Sequence, residues 1–426
     1  MNSPSQKRKI AVAVTHRAPY GRLKSVLRAI QEHPHLELQI VVGNPVFMQQ
    51  LLFALWHGDR IAVRKHLPWY LRTRLKTFFS GEAHLNRVDY LSGLIRRDGF
   101  PIAARLPVFF EGGNLAMMTK SVGMGLLQMP AILEKLKSDM VLVNADRFEM
   151  LSFAAAAAFM NLPLAHIQGG EVSGTIDETV RHVITKMAHL HFPTTEASKE
   201  RLIKMGEDPQ TIFMTGCPTI DVLKHIDYDD IDQLFARNGP GYGDDINLRK
   251  PFLLVIHHPV TTEYSLAQQH VHETLEAVRE IGMPTLLLSS NLDAGSDGVS
   301  SEIRSFAGTH RLPSFKLIKN LLSEDFYRVL KRATVAVGNS SSFIREGSAL
   351  GTPVVLVGTR QRGREHGANV ISDVPYDRIA IKKSIEQQIA HGPYLPETLY
   401  GDGRAGARIA EILATANPSL QKQITY

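Results

Sequence analysis

The stretch Thr334–Asn369, TVAVGNSSSFIREGSALGTPVVLVGTRQRGREHGAN, decides how the rest of the chain is read. Thr334–Val337 is a short apolar, largely β-branched run that ends in Gly338-Asn339-Ser340-Ser341-Ser342. Helical spacing follows to Leu350, Gly351-Thr352-Pro353 stops it, and Val354–Val357 is a second apolar run. Strand, tight turn, helix, strand is the repeating unit of a parallel α/β sheet. The turn sets small residues and hydroxyls before a helix, where unpaired N–H groups and the helix dipole favour an anion such as phosphate. Glu346, one turn into that helix, supplies a carboxylate that two ribose hydroxyls can share. Arg360, Arg362 and Arg364, beyond the next strand, can face a diphosphate. The same residues also fit an ordinary βαβ unit whose helix is capped by a serine.

Working outward, a βα series begins at Pro251. FLLVIHHP ends a strand in His257-His258-Pro259, PTLLLSSNLDAG ends one in Asn291 and Asp293, and Phe315–Ile318 is the next. Polar residues thus gather at strand C-termini, where open α/β sheets bind ligands. No carboxylate stands at a spacing that completes a metal site around His257-His258, so these histidines read as phosphate-facing.

The N-terminal half has the same rhythm. Lys9–Thr15 is a strand, His16–Gly21 a loop that puts Arg17 in a binding position, Arg22–Glu32 an amphipathic helix and Leu36–Val42 a strand. Pro45–Arg87 breaks the pattern with both tryptophans and many basic residues, and reads as a helical lid, an oligomer contact, a nucleic-acid patch or a solvated helical insertion, with tryptophan anchors and basic flanks fitting lid or interface best. Met129–Lys137 is a helix, and Met140–Val143 a strand that ends in Asn144-Ala145-Asp146-Arg147-Phe148-Glu149. After an alanine-rich helix, Leu162–Ile167 is a strand that ends in Gln168-Gly169-Gly170-Glu171. Asp146 and Glu171 therefore reach one sheet edge from successive strands, as proton transfer at a neutral carbon requires. Asp146 beside Arg147 also fits a helix N-terminal ion pair. Ile176–His189 is a helix with His182 in its middle, either packed in the core or chemically active. Leu190–Pro193 and Thr211–Gly216 read as strands around a helix at Glu196–Met205, Tyr228–Arg249 as a linker, and Gly403–Ala414 as a last helix that caps the second domain or crosses back to the first.

A chain of 426 residues exceeds one hydrophobic core, so two domains are expected: 1–225 with the insertion at about 45–87, then 250–395, with 396–426 as the closing segment. Composition is that of a globular enzyme, and the net charge of +6 suits phosphorylated ligands without arguing for nucleic acid. The single cysteine, Cys217, excludes a disulfide framework and a cysteine zinc site. No apolar run is long enough to span a bilayer and MNSPSQKRK lacks an apolar leader core, so a cytoplasmic protein is expected.

HRAPYG, ADRFE, HIQGGEVSGTIDETVRHVITKMAH, GCPTID, HHPVTTE, SSNLDAGS, GNSSSFIREGSALGTPVVLVGTRQRGRE and YGDG together resemble the UDP-N-acetylglucosamine 2-epimerases. They are most similar to the hydrolysing branch, which makes N-acetylmannosamine for sialic acids. The resemblance implies two Rossmann-like doubly wound domains in a GT-B arrangement, a cleft between them, no metal and no cofactor. It further implies a UDP-sugar substrate, no nucleic-acid or membrane partner, and a homo-oligomer, dimer or tetramer. Arg17, His258, Asn291, Ser340, Ser341, Glu346 and Arg360 match substrate- and nucleotide-contacting positions, and Asp146, Glu171, His182 and Arg147 match positions tied to the chemistry. That chemistry is loss of the C2 proton and of UDP to give a 2-acetamidoglucal, followed by hydration.

Two departures stand out. The family's Gly-Thr-Arg-Ala-Asp/Glu start has His16 for Thr and Pro19 for the acid, and its Gly-x-His-Leu after the second strand is Gly43-Asn44-Pro45-Val46. His57 or His66 of the insertion is a candidate replacement for the missing histidine. Non-hydrolysing epimerisation, a modified or GDP-linked sugar, glycosyl transfer on the same fold and a non-enzymatic sugar-nucleotide sensor are the alternatives.

Overall fold

The structure is a computed structural model that describes residues 7–45, 90–110, 114–239, 241–290, 293–309 and 314–425. Asn291, His57, His66 and most of the basic insertion lie outside the described residues.

The first sheet is built from β1 (Arg8–Val14), β2 (Leu36–Pro45), β3 (Ile102–Phe109), β4 (Met140–Asn144), β5 (Leu164–Ile167) and β6 (Leu190–Phe192). Between them run α1 (Arg17–Glu32), α2 (Tyr90–Arg97), α3 (Leu115–Leu136), α4 (Met150–Phe159) and α5 (Ile176–Met187), and α6 (Glu196–Lys204) follows. The strand order is β3-β2-β1-β4-β5-β6 and every pairing is parallel. Helices cover both faces, which is why β4 and β5 are buried along their whole length and carry no polar alternation. Leu23, Leu27 and Ile30 of α1 pack on one face, and Met129, Phe153 and Ile184 of α3, α4 and α5 on the other.

After α7 (Pro218–Leu223) and α8 (Leu234–Asn238) the second sheet collects β7 (Tyr242–Gly243), β8 (Leu253–Ile256), β9 (Thr285–Leu288), β10 (Phe315–Ile318), β11 (Val335–Gly338), β12 (Val354–Val357) and β13 (Val370–Val374). Its helices are α9 (Ala267–Ile281), α10 (Ser296–Thr309), α11 (Ser323–Arg332), α12 (Ser341–Leu350) and α13 (Arg378–His391). The order β13-β12-β11-β8-β9-β10-β7 repeats the first sheet's topology, with β7 added antiparallel at the edge. The chain thus holds two Rossmann-like domains, with switch points between β1 and β4 and between β8 and β11.

The last helix, α14 (Ala405–Thr415), belongs to the first domain. Ile409 and Leu413 join the core around Leu23 and Leu27, and Asp221 of α7 accepts the backbone N–H groups of Ala405 and Gly406 at its N-terminus. The segment beyond it lies under α5. Lys422 Nζ donates to the carbonyls of Thr185, Lys186 and Ala188 at 3.0, 3.1 and 2.6 Å and pairs with buried Glu207, a cation on the negative end of a helix.

Several expectations need correction. α1 starts at Arg17 rather than Arg22, because Pro19 in a first turn needs no N–H partner. α3 runs from Leu115, not Met129. Gly123, Gly125 and Pro130 hide it in the sequence, whereas in the fold Gly125 lets α3 approach Ser152 of α4 closely. Thr211–Gly216 is not a strand, since only Ile212 bridges to His191. Tyr228–Arg249 is more than a linker, because it contains α8 and the edge strand β7.

Candidate active site

The second domain's switch point is organised by backbone. Gly338 ends β11 at φ +134°, where a Cβ would overlap the Ile256 carbonyl, so only glycine lets β11 lie this close to β8. Asn339 then bridges the two strand ends, its Oδ1 accepting from His258 N at 2.7 Å and its Nδ2 donating to His258 O at 2.8 Å. Ser340 caps α12 through Ser342 N. This leaves the first N–H groups of α12 and the Ser341 hydroxyl at a helix N-terminus, a setting that favours an anion.

Arginines surround that seat. Arg22 of α1 and Arg345 of α12 each donate to Ser341 Oγ at 3.0 Å. Arg345 also donates to Glu171 Oε2 at 2.8 Å, and Arg364 lies 3.4 Å from the same oxygen. Burial, and then Arg345, lower the pKa of Arg22, so these cations crowd one another and favour a further anion between them. One turn along α12, Glu346 is fully buried and neither carboxylate oxygen has a hydrogen-bond partner among the described residues. Buried carboxylates are ordinarily satisfied.

The first domain faces this seat with acid–base groups. Asp146 follows β4 and pairs with Arg181 of α5, whose Nη1 also donates to the Glu171 carbonyl at 2.9 Å. Arg147 crosses between domains to Asp293 Oδ1 at 2.6 Å. Asp293 in turn is 3.8 Å from Arg360, which reaches Asp177 of α5 at 3.7 Å. Burial, and then the neighbouring Asp293, raise the pKa of Asp177. For Glu171 burial also acts upward, but Arg345, Arg364 and the Thr194 hydroxyl outweigh it and hold the carboxyl below its usual range. The two carboxyls therefore have opposed shifts, half-buried Asp177 held up and buried Glu171 held down among its arginines, an arrangement in which one can carry a proton while the other holds cations. His258 is kept neutral by burial and Arg360.

The structure therefore brings Asp146, Arg147, Glu171, His258, Ser340, Ser341, Glu346 and Arg360 to the facing strand ends of the two domains. Arg17 begins α1, with its Nη1 buried and unpartnered among the described residues. His182 instead pairs at 3.5 Å with Glu178, one turn earlier on its own helix. Arg362 is exposed beside Asp373, away from the seat. Arg22, Arg345 and Asp177 emerge only here. Asp177 had the local signal of a helix-dipole partner, and Arg22 and Arg345 gain their meaning from contacts between domains. The approach is close throughout: Gly174 N donates to Arg360 O at 3.0 Å, and a Cβ on Gly174 would overlap the Thr359 carbonyl.

Comparison with known proteins gives the family and the fold. Residues 77–414 match the model of the UDP-N-acetylglucosamine 2-epimerase family. The chain is 36% identical over 409 residues, 96% of each chain, to a hydrolysing UDP-N,N'-diacetylbacillosamine 2-epimerase from Legionella pneumophila. It is 28% identical, again over 96% of each, to a UDP-N-acetylglucosamine 2-epimerase from Neisseria meningitidis. In fold it is similar to the Methanocaldococcus jannaschii UDP-GlcNAc 2-epimerase solved with UDP-GlcNAc and UDP, with a TM-score of 0.73 at 17% identity over 96% of this chain and all of that one. With that match running through both domains and the cleft between them, the chain belongs to the UDP-N-acetylglucosamine 2-epimerase family.

Proposed function

We propose that this protein is a hydrolysing 2-epimerase of a UDP-linked 2-acetamido hexose. The observation that carries the nucleotide half is Glu346, a buried carboxylate with two unused oxygens one turn behind a serine-capped anion seat. Two ribose hydroxyls satisfy those oxygens while the diphosphate lies on the α12 N-terminus among Arg22, Arg345 and Arg360.

The sugar then projects toward β4 and α5. A carboxylate removes the C2 proton, the C1–O bond to UDP breaks, and UDP leaves as an anion into the arginines, which stabilise the developing charge. Water adds to the resulting 2-acetamidoglucal, its hydroxyl to C1 and a proton to C2. Inversion requires that proton to arrive on the opposite face from the one it left, so two carriers are needed. Asp177, with its raised pKa, and Asp146, at the neighbouring strand end, fill these roles. Arg147 holds the domains together over the sugar through Asp293, and Glu171 keeps Arg345 and Arg364 in place.

Phosphorus NMR tests the reading. Free UDP appearing with an N-acetylated hexose inverted at C2 supports it, and a UDP-sugar that stays linked overturns the hydrolytic step. A second reading takes UDP-N,N'-diacetylbacillosamine as the substrate, favoured by the activity of the Legionella relative and by the absence of the family histidine at Asn44-Pro45-Val46. A homo-oligomer is also proposed, because Leu127 of α3 and Phe159 of α4 are 80% and 84% exposed on neighbouring helices. Light scattering that gives a monomer mass would remove that part.

A further inference from the structure

One buried titratable ring beside the site has no part in the scheme above. His166 of β5 is fully buried. It stands opposite Val143 of β4 in the parallel ladder, on the face of the sheet that α4 and α5 cover. Its Nε2 lies 2.8 Å from the carbonyl oxygen of Ala145, and its Nδ1 lies 3.2 Å from the Thr185 hydroxyl on α5. A carbonyl can only accept, so Nε2 carries the hydrogen and Nδ1 accepts from Thr185. A single neutral tautomer satisfies both contacts, and burial keeps the ring neutral down to about pH 3. Two neighbours are shaped around this ring. Ala145 sits in the left-handed region at φ +65°, which residues with a Cβ rarely adopt. A Cβ on Gly169 would come within 3.1 Å of both His166 Nδ1 and Thr185 Oγ1, so glycine leaves that hydrogen bond its room.

We propose that His166 is a positioning residue that ties the Ala145 turn to α5 and so sets the spacing between Asp146 and Asp177. The inference rests on the reading of those two carboxyls as the proton carriers of the cleft. Asp146 is the next residue after Ala145, so the carbonyl that His166 holds belongs to the peptide that leads into it. Asp177 lies about two turns before Thr185 on α5. Thr185 is itself anchored, because its carbonyl accepts from Lys422 Nζ at 3.0 Å. The ring therefore bridges a strained turn and a fixed point on the helix. Arg181 also joins α5 to Asp146, but through a long side chain that can follow the carboxylate if the turn moves. A buried imidazole with both nitrogens bonded cannot follow. Without its donor, the Ala145 carbonyl is left unpaired and the turn can relax toward conformations that a Cβ prefers, which swings the Asp146 carboxylate. Proton transfer depends on placement to within about an ångström. The nucleotide seat on α12 shares no bond with His166 among the described residues, so the effect falls on turnover.

The test measures kcat, KM and UDP affinity for the full chain and its variants, with whichever of UDP-N-acetylglucosamine and UDP-N,N'-diacetylbacillosamine the parent turns over faster. His166→Phe fills the same space without a donor. It should lower kcat by roughly tenfold to a hundredfold, with calorimetry showing UDP affinity retained. His166→Gln places an amide N–H near the Nε2 position and should recover most of that loss. Thr185→Val removes the hydroxyl at similar volume and should lower kcat in the same direction, by less. Ala145→Gly removes the backbone cost of the left-handed turn, so the His166→Phe penalty should shrink in that background. Undiminished kcat in a folded His166→Phe enzyme overturns the proposal. So does a His166→Gln variant no better than His166→Phe, or a loss shared equally between kcat and UDP affinity, since either marks a ring that only fills the core. If the melting curve shows that His166→Phe does not fold, Thr185→Val decides, and an unchanged kcat there overturns the proposal. A parent that releases UDP from neither donor overturns the reading of the cleft instead.

Discussion

The strand ends at β8/β11 and at β1/β4 are one topological position in two copies of one fold, yet they are furnished in opposite ways. The β8/β11 end is made of backbone: a glycine crossing, an asparagine staple, a serine cap and a buried acceptor in Glu346. The β1/β4 end is made of side-chain charge, and its pairs run to the other domain, from Arg147 to Asp293 and from Glu171 to Arg345. The backbone frame of the first arrangement lies within its own domain, with Arg22 of α1 added from the other at Ser341, and suits a ligand part that binds the same way throughout a reaction. The second is complete only when the domains meet, and suits chemistry that must exclude water.

Substitutions on the two sides should therefore separate turnover from nucleotide affinity. Asp177→Asn should reduce turnover by roughly 10²–10⁴-fold with UDP affinity retained in calorimetry, since a proton carrier contributes about that much. Undiminished turnover would break the assignment of chemistry to the first domain. Next in size is an acid effect. Burial raises the Glu207 pKa, but His191, Lys186 and Lys422 outweigh it and push the carboxyl down to about 2. A depressed carboxyl contributes stability that is present above about pH 4.5 and lost as pH falls toward 2, here about 2 kcal/mol after solvent screening reduces the full value. Urea midpoints of the parent should therefore fall across that window, while Glu207→Gln should start lower at pH 6 and fall less. Glu346→Ala should weaken UDP binding by about 10- to 100-fold, the worth of two hydrogen bonds, and should affect turnover at saturating substrate much less. The smallest change is expected from Asp293→Asn. The amide oxygen can still accept from Arg147 but without the charge, so KM should rise severalfold, about threefold to tenfold, read by steady-state kinetics, with UDP affinity little altered.

The sequence carries much of this architecture because buried parallel strands announce themselves. Val335–Gly338 and Val354–Val357 are apolar runs bounded by glycine and polar residues, and the helix between them has both a cap and a stop. α3 is illegible for a physical reason. Its glycines and Pro130 are penalties in an isolated helix, and only packing against α4 makes them useful. β7 has two residues, too few for any period. In the candidate site, the placement of Ser340 and Asp146 is legible because they follow strand ends closely, and that of Glu346 because it stands one turn into the helix that Ser340 caps. Arg345 is silent in the sequence because its partner Glu171 is 174 residues away in the other domain. Asp177 has a sufficient local explanation at the start of α5, and only its contact with Arg360, arriving from the far side of the cleft, brings it to the candidate site.

The crossing of α14 back to α1 has a consequence for how the molecule is made. The first domain's core takes in Ile409 and Leu413, and α5 receives Lys422 at its end, so a nascent chain cannot complete its first domain until the second has been synthesised. Such distant pairings slow folding, and they reverse the usual order in which the N-terminal unit matures first on the ribosome. The half that carries Glu346 should become protease-resistant before the half that carries Asp146.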